Sequence, residues 1–348
     1  RPAGRRRGAR SGTHDRRSAP LGTWPQARPQ GLGRSGRCLS EGRAMRIAVT
    51  GASGFVGGAL ATALADDGHQ VTGFGRRPHG WQHPRGNYVI WDLDSAAPDE
   101  AHHIDAVVHC AALADDWAPR DAAMRSNLGG TRRVLETFAG CRFVHMSTSS
   151  VYDAFRPSVM ARENEPAPHR HLSSYPESKA AAERLLAGTD AVILRPHAVY
   201  GPGDTTLLPR LLQSVRHGRL VLPAGAQVRH SLTHIDNLTQ AVRCALDPDG
   251  PSGVFNIADA EPVYLAEVIT EFLARADLPA RIIAIPFSAA WQAARFAELR
   301  AALRHTRPRL TRYAVSQLGV ERTFDIAAAR RQLGYRPFTT TLSGAEAW

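Results

Sequence analysis

Lysine is nearly absent from this chain of 348 residues: lysine and arginine together number 43, and Lys179 is the only lysine. Cysteine is also scarce. The four cysteines are scattered along the chain, with neither a CxxC pair nor a Cys/His group at zinc spacing. No apolar run reaches the roughly 18 residues that a membrane-spanning helix requires. These absences lead us to expect no metal site, no membrane partner and a cytoplasmic location.

The net charge of +11 is concentrated at one end of the chain. Residues 1–44 contain eleven arginines against Asp15 and Glu41, a charge of +9, which leaves +2 for the remaining residues. This segment is rich in glycine, proline and arginine and lacks apolar periodicity, so we expect a disordered basic tail. Because Met45 directly precedes a strand-like run, we expect the tail to lie outside the functional protein. An organelle transit segment and a nucleic-acid arm are the alternatives; otherwise no nucleic-acid partner is expected.

From Met45 onward, short apolar runs alternate with helical stretches. The run MRIAVT is followed by the turn GASGFVG and the helical stretch ALATALADDG, and further runs are HQVTGF, NYVIWDL, DAVVHCAA, RFVHMST and DAVILRP. This order predicts an α/β fold, a Rossmann-type doubly wound parallel sheet. Helical stretches with brief strands dominate beyond about residue 200. We therefore expect residues 45–200 to be mainly an NAD(P)-binding domain. Residues 201–348 are expected to form mainly a smaller C-terminal substrate-binding α/β portion, with some return to the Rossmann core.

The glycine-rich turn is the first candidate site. Gly51, Gly54 and Gly57 would let the backbone turn tightly, approach a pyrophosphate and pack the following helix on the strand. Their position directly after the first strand favours a dinucleotide site over a structural turn. At the end of the second strand, where an acidic residue would hold the NAD ribose, stand Arg76 and Arg77. This pair favours the 2′-phosphate of NADP, with NAD as a second option and a solvated pair of loop charges as the alternative.

The stretch YPESK places the only lysine four residues after a tyrosine, at the expected start of a helix. Tyr175 and Lys179 would therefore lie on one face of that helix. Ser174 and Glu177 have the spacing of a capping box. A neighbouring ammonium and the positive helix end both favour the tyrosine anion, so we expect Tyr175 to be an acid or base with a lowered pKa.

A group of hydroxyls would help to hold a substrate carbonyl. Ser147, Thr148, Ser149 and Ser150 follow the predicted strand RFVHM, at the carboxyl end where open α/β sheets bind ligands. The alternative is ordinary turn chemistry, in which serine and threonine bind local backbone.

Together these motifs resemble the extended short-chain dehydrogenase/reductase family, the NAD(P)-dependent epimerases and dehydratases. The matching pieces occur in family order from Met45 to about Pro337: TGASGFVG, WDL, HCAA, NLGGT, STSSVY, YPESK, LRPHAVYGPGD, SLTHIDNL, GVFNIAD and FDIAAARRQLGYRP. The resemblance is specific for the fold and for use of the cofactor, and much less specific for the substrate.

The resemblance implies catalytic roles for four residues. Tyr175 would donate or accept a proton, Lys179 would bind the nicotinamide ribose and lower the tyrosine pKa, Thr148 would be the catalytic hydroxyl, and Asn127 would support the site. The expected cofactor contacts are Gly51, Ser53, Gly54, Phe55, Val56, Gly57, Arg76, Arg77, Asp92, Leu93, Ala111, Ala112, Tyr175, Lys179, Pro196 and His197. In this set Asp92 and Leu93 would contact adenine, and Pro196 and His197 would adjoin nicotinamide.

The substrate is less well specified. Ser149 and Ser150 replace the acidic pair that 4,6-dehydratases of the family carry, so dehydration is disfavoured. Ser149 is a candidate substrate contact, and Arg229 and His230 lie where sugar-nucleotide enzymes of the family often place an arginine for a diphosphate.

The expected function is that of an NAD(P)-dependent oxidoreductase or epimerase acting on a hydroxyl or ketone of a small molecule. A nucleotide sugar is the leading substrate class, and net redox chemistry is favoured over epimerisation. The alternatives are a reductase of a steroid-like or other hydrophobic ketone and a catalytically silent NADP-binding sensor or scaffold. The sequence leaves a homodimer open.

Overall fold

A computed structural model describes residues 44–348, so the predicted tail lies outside the described residues except for Ala44. The strands are β1 Arg46–Thr50, β2 Gln70–Gly75, β3 Gly86–Ile90, β4 Ala106–His109, β5 Arg142–Met146, β6 Ser158–Ala161, β7 Ala191–Pro196, β8 Val199–Tyr200, β9 Arg219–Pro223, β10 Arg229–His230, β11 Thr233–His234, β12 Gly253–Ile257, β13 Val263–Tyr264, β14 Arg281–Ile285 and β15 Arg322–Phe324.

The α-helices are α1 Phe55–Asp66, α2 Arg120–Ala123, α3 Gly130–Thr137, α4 Ser174–Leu186, α5 Leu207–Ser214, α6 Ile235–Ala245, α7 Leu265–Arg275, α8 Phe287–Leu303 and α9 Arg312–Gly319. A π-helical segment, Met124–Gly129, joins α2 to α3. None of the helices within residues 44–348 combines the length and apolarity needed to cross a bilayer.

Seven parallel strands form the main sheet, in the order β12-β7-β5-β4-β1-β2-β3. The chain winds outward in one direction from β1 through β2 and in the other from β4 through β5, so β1 and β4 flank the point where the direction reverses. Open α/β sheets bind ligands in the crevice at the carboxyl ends of such strands. The prediction of a Rossmann-type doubly wound parallel sheet is confirmed. Strand β12, which comes from residues 201–348, extends this sheet at one edge.

Both faces of the sheet are covered, which explains why its strands read as continuous apolar runs. On β1, Ile47 and Val49 join the core beneath α1 and α6, whereas Ala48 joins the opposite core with Val134 and Phe138. Side chains alternate between the faces of a strand, so neighbouring residues enter different cores.

The later residues form smaller sheets beside the main one. One has the order β13-β10-β15-β6, and two further pairs are β11 with β8 and β14 with β9. Helices α8 and α9 pack through a small core that includes Ala290, Ala294 and Val315. This packing sets the position of α9, whose second residue is Tyr313.

Helix α4 carries the YPESK stretch and starts differently from the prediction. The residue before it, Ser173, makes no side-chain cap bond. Ser174 Oγ donates to the carbonyl of Ala118 at 2.7 Å, and Glu177 Oε1 accepts from Arg120 Nη2 at 2.7 Å. The predicted capping box is therefore wrong, because both side chains hold the segment that enters α2 instead.

Candidate active site

The glycine-rich turn lies between β1 and α1, at the switch point of the sheet. Gly51 has a φ of +74°, and a Cβ added there would lie 2.7 Å from the backbone nitrogen of Ala111. A Cβ on Gly57 would lie 2.3 Å from the Gly51 carbonyl oxygen, so glycine lets α1 pack closely on the turn. Helix α1 begins after Gly54 without a side-chain cap, which leaves its first N–H groups available to an anion. This cradle fits the pyrophosphate of a dinucleotide.

The two arginines after β2 border the same turn. The Arg77 guanidinium donates to the carbonyl of Ser53 at 3.2 Å, which brings one arginine directly beside the cradle. Arg76 is exposed and makes no hydrogen bond or ion pair that the structure of residues 44–348 shows. Phe55 and Val56, in the first turn of α1, are half-buried.

The remaining predicted adenine and backbone contacts follow β3 and β4. Asp92 is exposed and accepts from the Asp94 backbone nitrogen at 3.1 Å, and Leu93 packs on the start of α3. The Ala111 backbone nitrogen donates to Thr50 Oγ1 at 3.3 Å, and Ala112 is exposed. These residues line the crevice beside the cradle.

Asn127 lies in the π-helical segment and ties the crevice to α4. Its Oδ1 accepts from the Leu113 backbone nitrogen at 2.7 Å, and its Nδ2 donates to the Leu113 carbonyl at 3.2 Å and to Ser178 Oγ at 2.8 Å. The buried amide thus fixes the loop after β4 against the helix of Tyr175. Isolated π-helical turns often accompany functional sites.

Tyr175 and Lys179 both face the carboxyl end of β5. The Thr148 side chain lies near enough to the Tyr175 hydroxyl to lower the pKa of that phenol. The Lys179 ammonium donates to the Met146 carbonyl at 2.6 Å and lies 3.2 Å from His145 Nε2. The structure therefore brings Thr148, Tyr175 and Lys179 together beside the nucleotide cradle.

The pKa of Tyr175 differs from the value that the sequence led us to expect. Burial raises the pKa of Tyr175, and the nearby Thr148 hydroxyl acts in the opposite direction. We predicted a lowered pKa, but the Lys179 ammonium is directed at the Met146 carbonyl and does not offset burial. Burial lowers the pKa of Lys179 to about 8, and the charge of Glu183 acts against that shift. In this state Tyr175 holds its proton at neutral pH.

Two buried histidines beneath Lys179 were not singled out from the sequence. His109 lies between Thr50 Oγ1 at 2.7 Å and Thr131 Oγ1 at 3.0 Å, and burial lowers its pKa to about 3. Burial also lowers the pKa of His145 well below its usual value, with Lys179 contributing. Both interrupt apolar strands, a pattern that could have indicated polar groups behind the site.

The predicted substrate residues separate into two groups. Ser149 Oγ lies 2.7 Å from His197 Nδ1, and the His197 ring packs against His230 with centroids 5.6 Å apart. Arg229 is exposed, and because it precedes buried His230 on β10 it projects from the other face of the strand. The structure thus groups His197 and His230 with Ser149, whereas the Arg229 side chain projects away from this group. Pro196, the last residue of β7, is buried beside them.

Tyr313 is a site residue that the sequence did not indicate. Its hydroxyl lies 2.6 Å from Ser150 Oγ, and Thr148 Oγ1 donates to the same Ser150 oxygen at 3.0 Å. Tyr313 also lies within electrostatic range of Tyr175. No local signal could have revealed it, because 163 positions separate it from Ser150.

No group of three or more His, Cys, Asp or Glu side chains within residues 44–348 is arranged to hold a metal ion.

Comparisons with known proteins agree with this geometry. A family model described as the NAD dependent epimerase/dehydratase family matches residues 47–258. The 2-alkyl-3-oxoalkanoate reductase of Stenotrophomonas maltophilia is 33% identical over 317 residues, which cover 84% of this chain and 95% of the relative. The 3 beta-hydroxysteroid dehydrogenase/Delta 5→4-isomerase of Mycobacterium tuberculosis is 33% identical over 328 residues, with coverage of 85% and 87%.

The solved structure of MoeE5 in complex with UDP-glucuronic acid and NAD superposes with a TM-score of 0.66 at 26% identity, over 87% of this chain and 96% of that one. The chain therefore belongs to the NAD-dependent epimerase/dehydratase family of extended short-chain dehydrogenases/reductases, as its motifs predicted, and is an NAD(P)-dependent enzyme of the oxidoreductase or epimerase type.

Proposed function

We propose that this enzyme reduces a ketone on an apolar skeleton with NADPH, Tyr175 donating the proton. The observation that carries the proposal is the grouping of Thr148, Tyr175 and Lys179 at the carboxyl end of β5 beside the nucleotide cradle, where the Lys179 ammonium donates to the Met146 carbonyl at 2.6 Å. Because burial raises the pKa of Tyr175, the phenol is protonated at neutral pH and suited to protonate a developing alkoxide.

The residues of the cradle would hold the cofactor. The free N–H groups at the start of α1 suit its pyrophosphate, Arg76 and Arg77 suit a 2′-phosphate, and the Lys179 ammonium suits a ribose hydroxyl. When bound, the reduced nicotinamide supplies the hydride for the carbonyl carbon. The chain itself orients the carbonyl oxygen with Thr148 and protonates it with Tyr175. An intact set of these groups favours catalysis over the role of a silent sensor or scaffold.

The charges near the site favour an apolar ketone over a nucleotide diphosphate. A cleft beside Tyr313 is lined by two arginines, and each is already paired with a carboxylate: Arg120 with Glu177 and Arg312 with Glu298, with shortest distances of 2.7 and 2.6 Å. Arg229 projects away, and burial lowers the pKa of His230 to about 4, so that imidazole is neutral. The relatives named for oxoalkanoate and hydroxysteroid substrates agree with this choice.

The experiment is stopped-flow absorbance at the reduced-nicotinamide band with NADPH. The substrates are a 2-alkyl-3-oxoalkanoate, a 3-ketosteroid and, for comparison, UDP-glucuronic acid. We expect multiple-turnover NADPH consumption with at least one ketone, and Tyr175→Phe should abolish it while NADPH still binds. Isomerisation of the sugar nucleotide without net consumption would instead support an epimerase. The cytoplasmic location and a homodimer stay predictions.

A further inference from the structure

Helix α8 turns three large apolar side chains toward solvent. Phe296 is 70% exposed, Leu299 59% and Leu303 75%, and their spacing of three and four residues places them on one side of the helix. The opposite side packs on α9 through the small side chains of Ala290 and Ala294. A helix that only covers a protein core has the reverse arrangement, with its large apolar residues inward. The three exposed side chains, which we call the outer face of α8, therefore offer an apolar surface to a partner.

Arginines border this outer face on both sides. Arg295 and Arg300 flank it, and Arg304 follows the last residue of α8; all three are exposed and make no ion pair that the structure of residues 44–348 shows. The one acidic residue of the helix, Glu298, is already paired with Arg312 at 2.6 Å. Guanidinium groups are always protonated in proteins, so the border is positive. An apolar surface with a positive border is complementary to a bilayer that contains anionic lipid.

A second copy of the chain fits the outer face less well. In a contact with two-fold symmetry the same patch of both copies meets, so the arginines of one copy would face those of the other. Like charges across an interface oppose association. Glu298 is engaged by Arg312 and therefore does not offset this repulsion.

The length of α8 suits a helix that lies in the membrane interface. It has 17 residues and spans roughly 25 Å at about 1.5 Å per residue. Interfacial helices bury an apolar face at the boundary between headgroups and acyl chains, with basic residues beside it, and do not cross the bilayer. The expectation of no membrane partner rested on the lack of a spanning run, which this kind of contact does not require.

The same helix forms one wall of the cleft beside Tyr313. Glu298 of α8 lines this cleft together with Thr311, Arg312 and Tyr313 at the start of α9. Tyr313 in turn lies within electrostatic range of Tyr175. The outer face and the cleft near the active site therefore share one pair of packed helices.

We infer that the outer face of α8 docks on a membrane surface that contains anionic lipid, from which the enzyme takes its apolar ketone. Phe296, Leu299 and Leu303 enter the headgroup region, and the bordering arginines contact lipid phosphates. Docking rests on the helix alone, whereas delivery of the ketone from the bilayer rests on the proposed reductase.

The first test is sedimentation of the full chain with vesicles of equal parts phosphatidylcholine and phosphatidylglycerol, and with vesicles of phosphatidylcholine alone. We expect tighter binding to the mixed vesicles. Phe296→Ser and Leu303→Ser should each weaken that binding by about tenfold or more, because each removes a large apolar side chain from the contact. Arg300→Ala should weaken it about fivefold through loss of one charge near the anionic surface.

Matched controls change exposed residues elsewhere. Val159→Ser, at a position 65% exposed on β6, and Arg85→Ala should bind as the unsubstituted chain does. Residues 1–44 carry a charge of +9 in every variant, so their attraction to anionic vesicles is common to all. Lack of binding, or equal binding by Phe296→Ser and Val159→Ser, would overturn the docking of α8. A dimer in analytical ultracentrifugation that Phe296→Ser dissociates would overturn it in favour of a second copy.

The second test measures delivery of the substrate. NADPH consumption is followed with the accepted ketone dissolved in the mixed vesicles and with the same ketone as a soluble cyclodextrin complex. Phe296→Ser should slow consumption about tenfold with the vesicle-borne ketone and leave the rate with the complex unchanged. Equal slowing with both forms would overturn the delivery. Vesicle binding by a protein that consumes no NADPH with any ketone would keep the docking surface and refute the proposed reductase.

Discussion

The ammonium of Lys179 lies 2.6 Å from the carbonyl oxygen of Met146, the last residue of β5. This contact anchors α4 to the strand end that carries Thr148, and it occurs in a site where the lysine is only 2% exposed. The single lysine of the chain therefore stands where a compact ammonium has to fit among backbone and imidazole acceptors.

We predict that Lys179→Arg loses turnover although the charge is kept. The longer guanidinium would displace Tyr175 or its neighbours, and a misplacement of about 1 Å can lower a rate by roughly a hundredfold. Overpacking should also lower the free energy of unfolding by about 1–3 kcal/mol. Steady-state kinetics and urea denaturation measure the two effects.

The matched control is Lys179→Met, which removes the charge with little added volume. It should also lose turnover but unfold at a higher urea concentration than the arginine variant. Normal turnover in Lys179→Arg would mean that a positive charge alone meets the requirement.

Binding of NADPH should depend on Arg76. This side chain has no partner in the described part of the chain, whereas Arg77 already donates to the Ser53 carbonyl. A hydrogen bond to a charged group contributes about 1.5–3 kcal/mol, so Arg76→Ala should weaken NADPH binding by roughly 10- to 100-fold and leave NADH binding unchanged. Calorimetric titration of both nucleotides measures this, with exposed Arg85→Ala as the control. Equal affinities of the unsubstituted protein for NADPH and NADH would contradict the assignment of NADP as the cofactor.

The stability of the fold should fall steeply in mild acid because four buried histidines are held neutral. Burial lowers the pKa of His109 to about 3 and that of His230 to about 4, and lowers those of His145 and His197 well below the ordinary value. The unfolded chain binds these protons below about pH 6.5, so it gains them before the folded chain does. The contribution of these neutral imidazoles to the free energy of unfolding is therefore fully present above about pH 6.5 and declines as the pH falls toward 4.

Each such histidine contributes a slope of about 1.4 kcal/mol per pH unit within that window. Urea denaturation at half-unit pH steps measures the summed slope. His230→Gln should lower the slope by one histidine's share, while His102→Gln, at an exposed position, should leave it unchanged. A free energy of unfolding that is flat between pH 6.5 and 4 would show that these imidazoles are not buried as the structure has them.

The sequence indicated the sheet and the residues of the cofactor crevice because their signals are local. The run RIAVT, the turn GASGFVG and the spacing of Tyr175 and Lys179 each reflect the backbone of one short segment. The direction of the Tyr175 pKa could not be read in this way, since it depends on how several segments bury the phenol. The Ser150 to Tyr313 contact depends on α9 packing against α8, which no spacing in the sequence records.

The last prediction concerns the buried ion pair between Glu183 and Arg195, which lies one turn beyond Lys179 on α4. Glu183 accepts from Arg195 at 2.6 and 3.0 Å and also accepts from Ser147 Oγ, and the two charged side chains are 10% and 12% exposed. Removing one partner of a buried pair leaves an uncompensated charge, which lowers the free energy of unfolding by about 3–5 kcal/mol. We expect Glu183→Gln to show this loss in urea denaturation.

A surface pair provides the comparison. Asp67 and Arg243 are 2.6 Å apart but each is 31% exposed, so Asp67→Asn should lower stability by no more than about 1 kcal/mol. Glu183→Gln should also lower the pKa of Lys179 in the active site, because the Glu183 charge raises that pKa. Its removal should move any alkaline limb of the rate profile that reports Lys179 to lower pH. If Glu183→Gln is no more destabilising than Asp67→Asn, and the alkaline limb does not move, the pair neither stabilises α4 nor supports the charge of Lys179.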